Sequence, residues 1–286
     1  MNTLKIAIQK SGRLNEDSLK ILKDCGISID NGNDQLKANA FNFPLEILFL
    51  RNSDIPQYLL DGVIDIAIVG DNLLAENDGA PITVVEKLGF SKCKVAVAVP
   101  ERFEYKTLSD LNGLRVATSY PNTVNNYFQA RNVQVELHQI SGSVEIAPNI
   151  GLSDAIVDIV SSGNTLFKNN LKQVEVIMES EAVLAVSPLI SAQATEILER
   201  LRLRLRAVLK ARNSKYVLMN VPNDRIKQVS AILPVLKSPT IMPLAEEGWS
   251  SLHSVINEEK FWEVIDQLKN AGAEGILVCP IEKMIF

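Results

Sequence analysis

Histidine is almost missing from this chain. Two occur in 286 residues, His138 and His253, and neither sits among ligand or nucleophile neighbours. A transition metal held by the protein and a histidine-based catalytic triad are therefore not expected. Cysteine is equally sparse: Cys25, Cys93 and Cys279 are odd in number, widely spaced and form no Cys-x-x-Cys. That argues against a disulfide frame or a zinc site and points to a reducing compartment. No apolar run approaches the roughly 18 residues of a membrane span. The first apolar run, Leu4 to Ile8, is broken by Lys5 and too short for a secretion signal, so a cytoplasmic protein without membrane contact is expected. A formal charge of −5 disfavours non-specific nucleic-acid binding but leaves room for local basic pockets that take phosphates.

What is present is apolar residue, 47% of the chain, enough to build a core rather than a disordered coil. The length suggests about two domains, or three small ones. Through residue 180 short apolar runs alternate with helical stretches. Leu4–Ile8, Leu45–Leu50, Asp65–Val69, Cys93–Val99, Arg115–Thr118 and Val133–Leu137 read as strands. Asn15–Asp24, capped by Asn15 and stopped at Cys25-Gly26, and Ile55–Leu60 read as helices. Such alternation predicts an α/β architecture with mostly parallel sheets.

Residues 191–212 form a basic connector in which Arg200, Arg202, Arg204 and Arg206 alternate with leucines. Over a wider window Ile197, Leu198, Leu201, Leu205, Val208 and Leu209 recur at spacings of three and four, so a helix with the arginines mostly on its solvated face is predicted. The tail then reads strand Tyr216–Val221, helix Asp224–Leu233, strands Thr240–Leu244 and Leu252–Ile256, helix Glu258–Asn270 capped by Asn257, and strand Gly275–Cys279. That βαββαβ order is the split ferredoxin-like unit.

The chemistry concentrates after the strands. Residues 154–166 carry Asp154 and Asp158 in an apolar run, then the small-residue turn Ser161-Ser162-Gly163-Asn164-Thr165. Such a turn entering a helix can present a nest of amides to a phosphate, with the acids facing sugar hydroxyls or a substrate-borne magnesium ion. An ordinary capped turn fits the same residues. Lys10-Ser11-Gly12-Arg13 follows the first strand, where Lys10 and Arg13 are suited to clamping phosphates; a plain basic loop is the alternative. Thr118-Ser119-Tyr120 offers hydroxyls and a ring for a nucleotide, or simply caps the next helix. Glu145 is a candidate ribose ligand, and Asp65 and Asp71 flank a near-repeat of the opening motif, Gly62–Leu74 beside Gly151–Gly163. Two similar lobes facing each other would produce such a repeat.

Nine short motifs occur together and in order: Lys10-Ser-Gly-Arg13, Asp54-Ile-Pro56, Asp61-Gly-Val63, Ala117-Thr-Ser-Tyr-Pro121, Gly142-Ser-Val-Glu145, Asp154-Ala through Ser162-Gly163-Asn-Thr165, Ser214-Lys-Tyr216, Pro239-Thr240 and Pro280-Ile-Glu-Lys-Met284. In this set the chain resembles, end to end, the long form of the ATP phosphoribosyltransferase family. The resemblance implies two catalytic lobes folded like a periplasmic binding protein and a C-terminal ferredoxin-like regulatory domain. Lobe I would be residues 1–90, completed by about 180–212; lobe II would be 91–179, and the regulatory domain 213–286. It implies transfer of a phosphoribosyl group to N1 of ATP, the first step of histidine biosynthesis, with magnesium brought by the substrate and inhibition by histidine.

It further implies that phosphoribosyl pyrophosphate lies on Ser161, Ser162, Gly163, Asn164 and Thr165 with Asp158, Asp154 and Glu145 near the ribose. The adenine nucleotide would lie near Lys10, Gly12, Arg13, Asp71, Thr118, Ser119 and Tyr120, with Lys10 and Arg13 also catalytic. Histidine would sit near Leu236, Ser238, Thr240 and Gly275, with a subunit boundary as one setting. A homo-oligomer of dimers associating to hexamers is implied. Asn220 stands where some relatives carry an acid able to pair with the histidine ammonium. Arg51 is a further cation with no assigned place. A non-catalytic sensor on the same fold, and a subunit needing an activating partner, are the alternatives; relatives of the second kind lack the C-terminal module.

Overall fold

The computed structural model describes residues 3–30, 36–233 and 238–285. Backbone packing divides the chain into two compact units. One comprises residues up to Lys23 together with Ile27–Leu198; the other comprises Asp24–Gly26 and everything from Glu199 onward.

The first unit contains β1 (Leu4–Gln9), α1 (Arg13–Asp24, whose last residue belongs to the second unit), β2 (Lys37–Asn39), β3 (Leu45–Leu50), α2 (Ile55–Leu60), β4 (Ile66–Gly70), α3 (Asp71–Glu76) and β5 (Thr83–Lys87). It continues through β6 (Cys93–Pro100), β7 (Arg115–Thr118), α4 (Pro121–Gln129), β8 (Glu136–Gln139), β9 (Ala155–Val160), α5 (Asn164–Lys168), β10 (Leu171–Ser180) and β11 (Ala182–Val186). Two sheets result, ordered β2-β3-β1-β4-β11-β5 and β10-β6-β9-β7-β8. The chain leaves the first sheet after β5, builds the whole second sheet, and returns through β11. These are the two lobes.

Apolar alternation explains why β6 is central. Val95, Val97 and Val99 point into one core with Leu111, Val124 and Phe128, while Ala96 and Ala98 point into another with Val144, Ile156 and Leu166. A strand covered on both faces reads as an unbroken apolar run. In lobe I, Ile6 aligns with Ile47 on one side and Ile66 on the other, all three fully buried. Burying one such side chain contributes about 1.5–3 kcal/mol, so this shared register is strongly fixed.

The sheets are mixed, not mostly parallel. β1 is parallel to β3 and β4, and β7 to β8 and β9, but β2, β5, β6, β10 and β11 join antiparallel. The antiparallel strands are those that carry the chain between lobes, plus the β2 edge. Two local expectations also change. α1 starts at Arg13, just after Gly12 at φ +86°, and Asn15 instead turns back to donate to the Gln9 carbonyl at 2.7 Å. The strand expected at Val133–Leu137 begins later, at Glu136, because Asn132 (φ +57°) still belongs to the turn that ends α4.

Helix α6 (Ala192–Arg212) forms as its three-four spacing predicts, burying Ile197, Leu198, Leu201, Leu205 and Val208. The second unit adds β12 (Ser214–Pro222), α7 (Ile226–Ile232), β13 (Thr240–Pro243), β14 (Trp249–Asn257), α8 (Glu258–Asn270) and β15 (Glu274–Pro280). Its four strands are ordered β13-β14-β12-β15, all antiparallel, the ferredoxin-like arrangement. Asn257 caps α8 as predicted, accepting from the amides of Glu259 and Lys260. One face of the sheet, carrying Val217, Met219, Val221, Leu252 and Ile256, packs with Val229, Phe261 and Leu268 of the helices.

Candidate active site

The carboxyl ends of parallel strands are where an α/β sheet presents ligand-binding turns. Here β1 leads into Lys10–Arg13, β4 into Asp71-Asn72, β7 into Thr118–Tyr120, and β9 into Ser161–Gly163. Three cavities lie among the ends of β1, β4 and β9, and Ser161 lines all of them; none is lined by Thr118–Tyr120. One, of about 250 Å³, is walled by Glu145, Asp158, Ser161, Ser162, Gly163 and Thr165. A second holds Gln9, Arg13 and Asn72 of lobe I together with Ser161 of lobe II. The third, of about 410 Å³, is lined by Asp71, Lys87, Lys92, Cys93, Lys94 and Glu181 among others.

The β9 turn has the shape its composition suggests. Gly163 is left-handed, φ +74°, ψ −4°, and stands at the N-cap of α5. No atom lies within 4 Å of where a Cβ would project from it, so the turn faces open space. The Gly163 carbonyl accepts from Phe167, tying the turn to the helix. Across the cavity, Gly142 and Ser143, at φ +87° and +50°, turn the chain into a short 3-10 segment, Val144–Ile146. Buried Val144 anchors that segment and leaves Glu145 toward Asp158. Burial pushes the Asp158 carboxyl up to about 6, and the charge of Glu145 pushes the same way, against an opposing bond from the Ile159 amide.

Asp154 is not brought to this turn. It lies at the opposite end of β9, about 20 Å away by strand rise. Its carboxylate accepts from the Arg115 amide (3.0 Å) and pairs with the Arg115 guanidinium (2.8 Å). That bond to Arg115 holds its carboxyl below the usual range. Asp65 likewise stands at the far end of β4, accepting from the Lys5 amide at 2.8 Å. Asp154 and the Ser161–Thr165 turn are thus not brought together: six residues of extended chain, Ala155–Val160, separate them.

Lobe I supplies the other half. Arg13 lines the second cavity; Lys10 is exposed at the end of β1 and Gly12 provides the bend into α1. Asp71 has one oxygen committed, accepting from the Glu181 amide where the chain re-enters the lobe. Thr118 is fully buried and accepts from the Tyr120 amide, while Ser119 donates to the Ile140 carbonyl, so both hydroxyls shape the turn. Burial, and next the charge of Asp158, push the Tyr120 phenol well above its ordinary range.

Residues that sequence reasoning passed over are Asn72, Ser180, Lys92 and Cys93. Asn72 and Ser180 are buried and bonded to each other at 2.8 Å where the lobes meet. Only the position of Asn72 just after Asp71 in the near-repeat could have flagged it.

In the second unit, Leu236 falls outside the described residues. Ser238 and Thr240 are exposed at the start of β13, whereas Gly275 lies on β15, its absent Cβ leaving 3.3 Å to the Asn220 amide. β13 and β15 are opposite edges of the sheet, three strand spacings or about 14 Å apart.

The fold and the strand-end cleft define a class: two-lobed α/β proteins that hold small polar ligands between the ends of facing sheets. Residues 51–207 match the family model for ATP phosphoribosyltransferase, and residues 211–283 match that of the HisG C-terminal domain. The chain belongs to the ATP phosphoribosyltransferase family. An ATP phosphoribosyltransferase of Cytophaga hutchinsonii is 55% identical over 282 residues, covering 99% of this chain and 98% of its own length. One from Bacteroides thetaiotaomicron is 50% identical, covering 99% of both. Among solved structures, a chain of the ATP phosphoribosyl transferase (HisG:HisZ) complex from Thermotoga maritima is 28% identical with a TM-score of 0.61. It covers 73% of this chain and 99% of its own, so about a quarter of this chain lies outside that likeness.

Proposed function

We propose that the open turn Ser161–Thr165 grips the 5-phosphate of phosphoribosyl pyrophosphate, with Asp158 and Glu145 on its ribose. ATP enters from the side of Arg13, Lys10, Asp71 and the Thr118–Tyr120 turn. The activity is that of the family: N1 of ATP bonds to C1 of the phosphoribosyl group as the bond from C1 to the pyrophosphate oxygen breaks, beginning histidine biosynthesis. The observation that carries the site assignment is the left-handed, unobstructed turn at Gly163 sharing one cavity with two carboxylates.

Adenine N1 already carries a free lone pair, so the attack needs no strong base. Two histidines, neither lining the three cavities, accord with that chemistry. The residues instead align two polyanions and neutralise the leaving group, work suited to Arg13 and Lys10. Two carboxylates facing one cavity are hard oxygen donors, too few for a complete cage but suited to magnesium that arrives already bound to diphosphate. Bound there, the ion would supply positive charge to the departing pyrophosphate.

The C-terminal unit is the histidine sensor in this proposal. With Thr240 and Gly275 on opposite sheet edges, a site using both needs two copies of the chain, consistent with a homo-oligomer of dimers and hexamers. An aqueous, cytoplasmic setting agrees with the described residues, among which no helix is long and apolar enough to cross a membrane.

The deciding experiment is incubation with ATP, phosphoribosyl pyrophosphate and magnesium, with and without histidine, following the absorbance of the N1 adduct. A non-catalytic sensor forms no adduct, and a subunit awaiting a partner stays idle alone. S238A with T240A should weaken histidine inhibition about tenfold or more with uninhibited turnover intact; unchanged inhibition removes the effector site from this edge.

A further inference from the structure

Helix α4 starts without a cap of its own. Its N-cap residue, Tyr120, makes no side-chain bond to the helix, and Pro121 at the first position has no amide hydrogen. The next two amides, which a helix start leaves without backbone partners, both go to one residue of the other lobe. Asn122 donates its amide to Glu76 Oε1 and Thr123 donates its amide to Glu76 Oε2, each at 2.9 Å. The Thr123 hydroxyl adds a third bond to Oε2 at 2.8 Å. In return the Asn122 side chain donates to the Glu76 carbonyl at 3.0 Å.

Glu76 is the last residue of α3, where a helix's own dipole disfavours an anion. The N-terminus of α4 offsets that cost, since the positive end of one helix meets the carboxylate closing another. The opposite end of α3 is equally committed. Asp71 exchanges bonds with the backbone of Glu181, and Asn72 is paired with Ser180, where the chain passes between lobes. Thus α3 is a strut: one end is fixed to the crossing, the other to α4. The turn Thr118–Tyr120 enters α4 directly, so whatever sets α4 sets that turn.

We propose that Glu76 is a positioning residue for the nucleotide. It holds the Thr118–Tyr120 turn of lobe II in register with Arg13 and Asp71 of lobe I, without itself touching the reacting atoms. Resting on the transferase activity proposed above, this assignment adds a role that neither the near-repeat nor the phosphate turn contains. Gln in place of Glu76 keeps the shape but presents an N–H where one of the two helix amides needs an acceptor.

The test uses the full chain. E76Q should raise KM for ATP about tenfold while kcat changes less than about threefold, since the lost contact aligns rather than reacts. T123V, which removes only the hydroxyl bond, should shift KM the same way by about twofold to threefold. E76Q/T123V should fall short of the product of the single effects because both act through one contact. A lowered Tm with both KM values at wild type would mean a purely structural cap and would overturn the proposal, as would independent effects in the double variant. If E76Q does not fold, the T123V shift in KM decides by itself. Absence of adduct formation by the wild-type protein counts against the transferase activity instead. Amide exchange at Asn122 and Thr123 in E76Q still reports on the contact in that case.

Discussion

Lobes I and II contain the same unit put to different uses. β4 and β9 occupy equivalent places: each is parallel to one strand of its lobe, β1 or β7, and antiparallel to a strand that carries the chain across, β11 or β6. Before each strand stands an aspartate, Asp65 or Asp154, whose carboxylate accepts from the amide of Lys5 or Arg115 at the start of the parallel neighbour. Beyond each strand the copies diverge. After β4 the chain enters α3 at once, with Gly70 extended and Asn72 bonded inward. After β9 three further residues intervene and Gly163 turns left-handed into empty space. One copy spends its polar groups on holding the lobes; the other leaves them facing an open cavity. A repeated sequence motif therefore marks a repeated scaffold, and function must be read from the residues past the strand end.

The sharpest way to break this contrast is G163D. Its carboxylate would stand in the open cavity and repel phosphate, and turnover should fall by at least roughly a hundredfold. Near-normal steady-state rates would remove the turn from the site.

D158N comes next, with two effects. Losing the carboxylate should cost about tenfold or more in kcat/KM for phosphoribosyl pyrophosphate. Stability should move the other way. The folded carboxyl titrates at about 6, above the unfolded range, so the native state binds this proton more tightly. Wild-type stability should therefore decline as pH rises from about 4 through about 6 and then level off. D158N should abolish that decline, gaining about 1–2 kcal/mol at pH 8 and nothing at pH 4, as read by urea unfolding. By the same proton, wild-type activity should fall below about pH 6.

The smallest effects belong to the paired scaffold acids. D65A and D154A should each cost about 1 kcal/mol of stability, a modest value because these groups are partly exposed. The lowered carboxyl of Asp154 contributes above the ordinary carboxylate range and loses that contribution as pH falls through its folded value. Both variants should leave KM for phosphoribosyl pyrophosphate within about twofold. A large KM change in D154A alone would restore Asp154 to the ribose.

Much of this was legible beforehand because it rests on local signals. The three-four spacing outvoted the arginine alternation in α6, Asn257 capped α8, and the βαββαβ order emerged from short runs bounded by turns. The small-residue turn at Gly163 showed its flexibility in its composition. Strand direction was less legible, since whether β6 and β11 run parallel depends on where the chain crosses between lobes, which no local window contains. The distance of Asp154 from the Ser161–Thr165 turn was not legible, because residues close in sequence stand at opposite ends of an extended strand. Glu76 carried no signal at all: its partners lie 46 and 47 residues away, and two of its four bonds come from backbone amides, invisible in the letters of the sequence.

The return of β11 to the first sheet fixes an order of assembly. Among the described residues β5 has β11 as its sole sheet neighbour, and β11 stands between it and β4. Emerging from the ribosome, β5 is complete at Lys87 yet must wait until Ala182 and its successors have been made. The second lobe, continuous from Cys93 to Ser180, is finished in the meantime. The first sheet therefore stays open until residues that follow the whole second sheet have been made, which leaves β5 without its partner strand during synthesis.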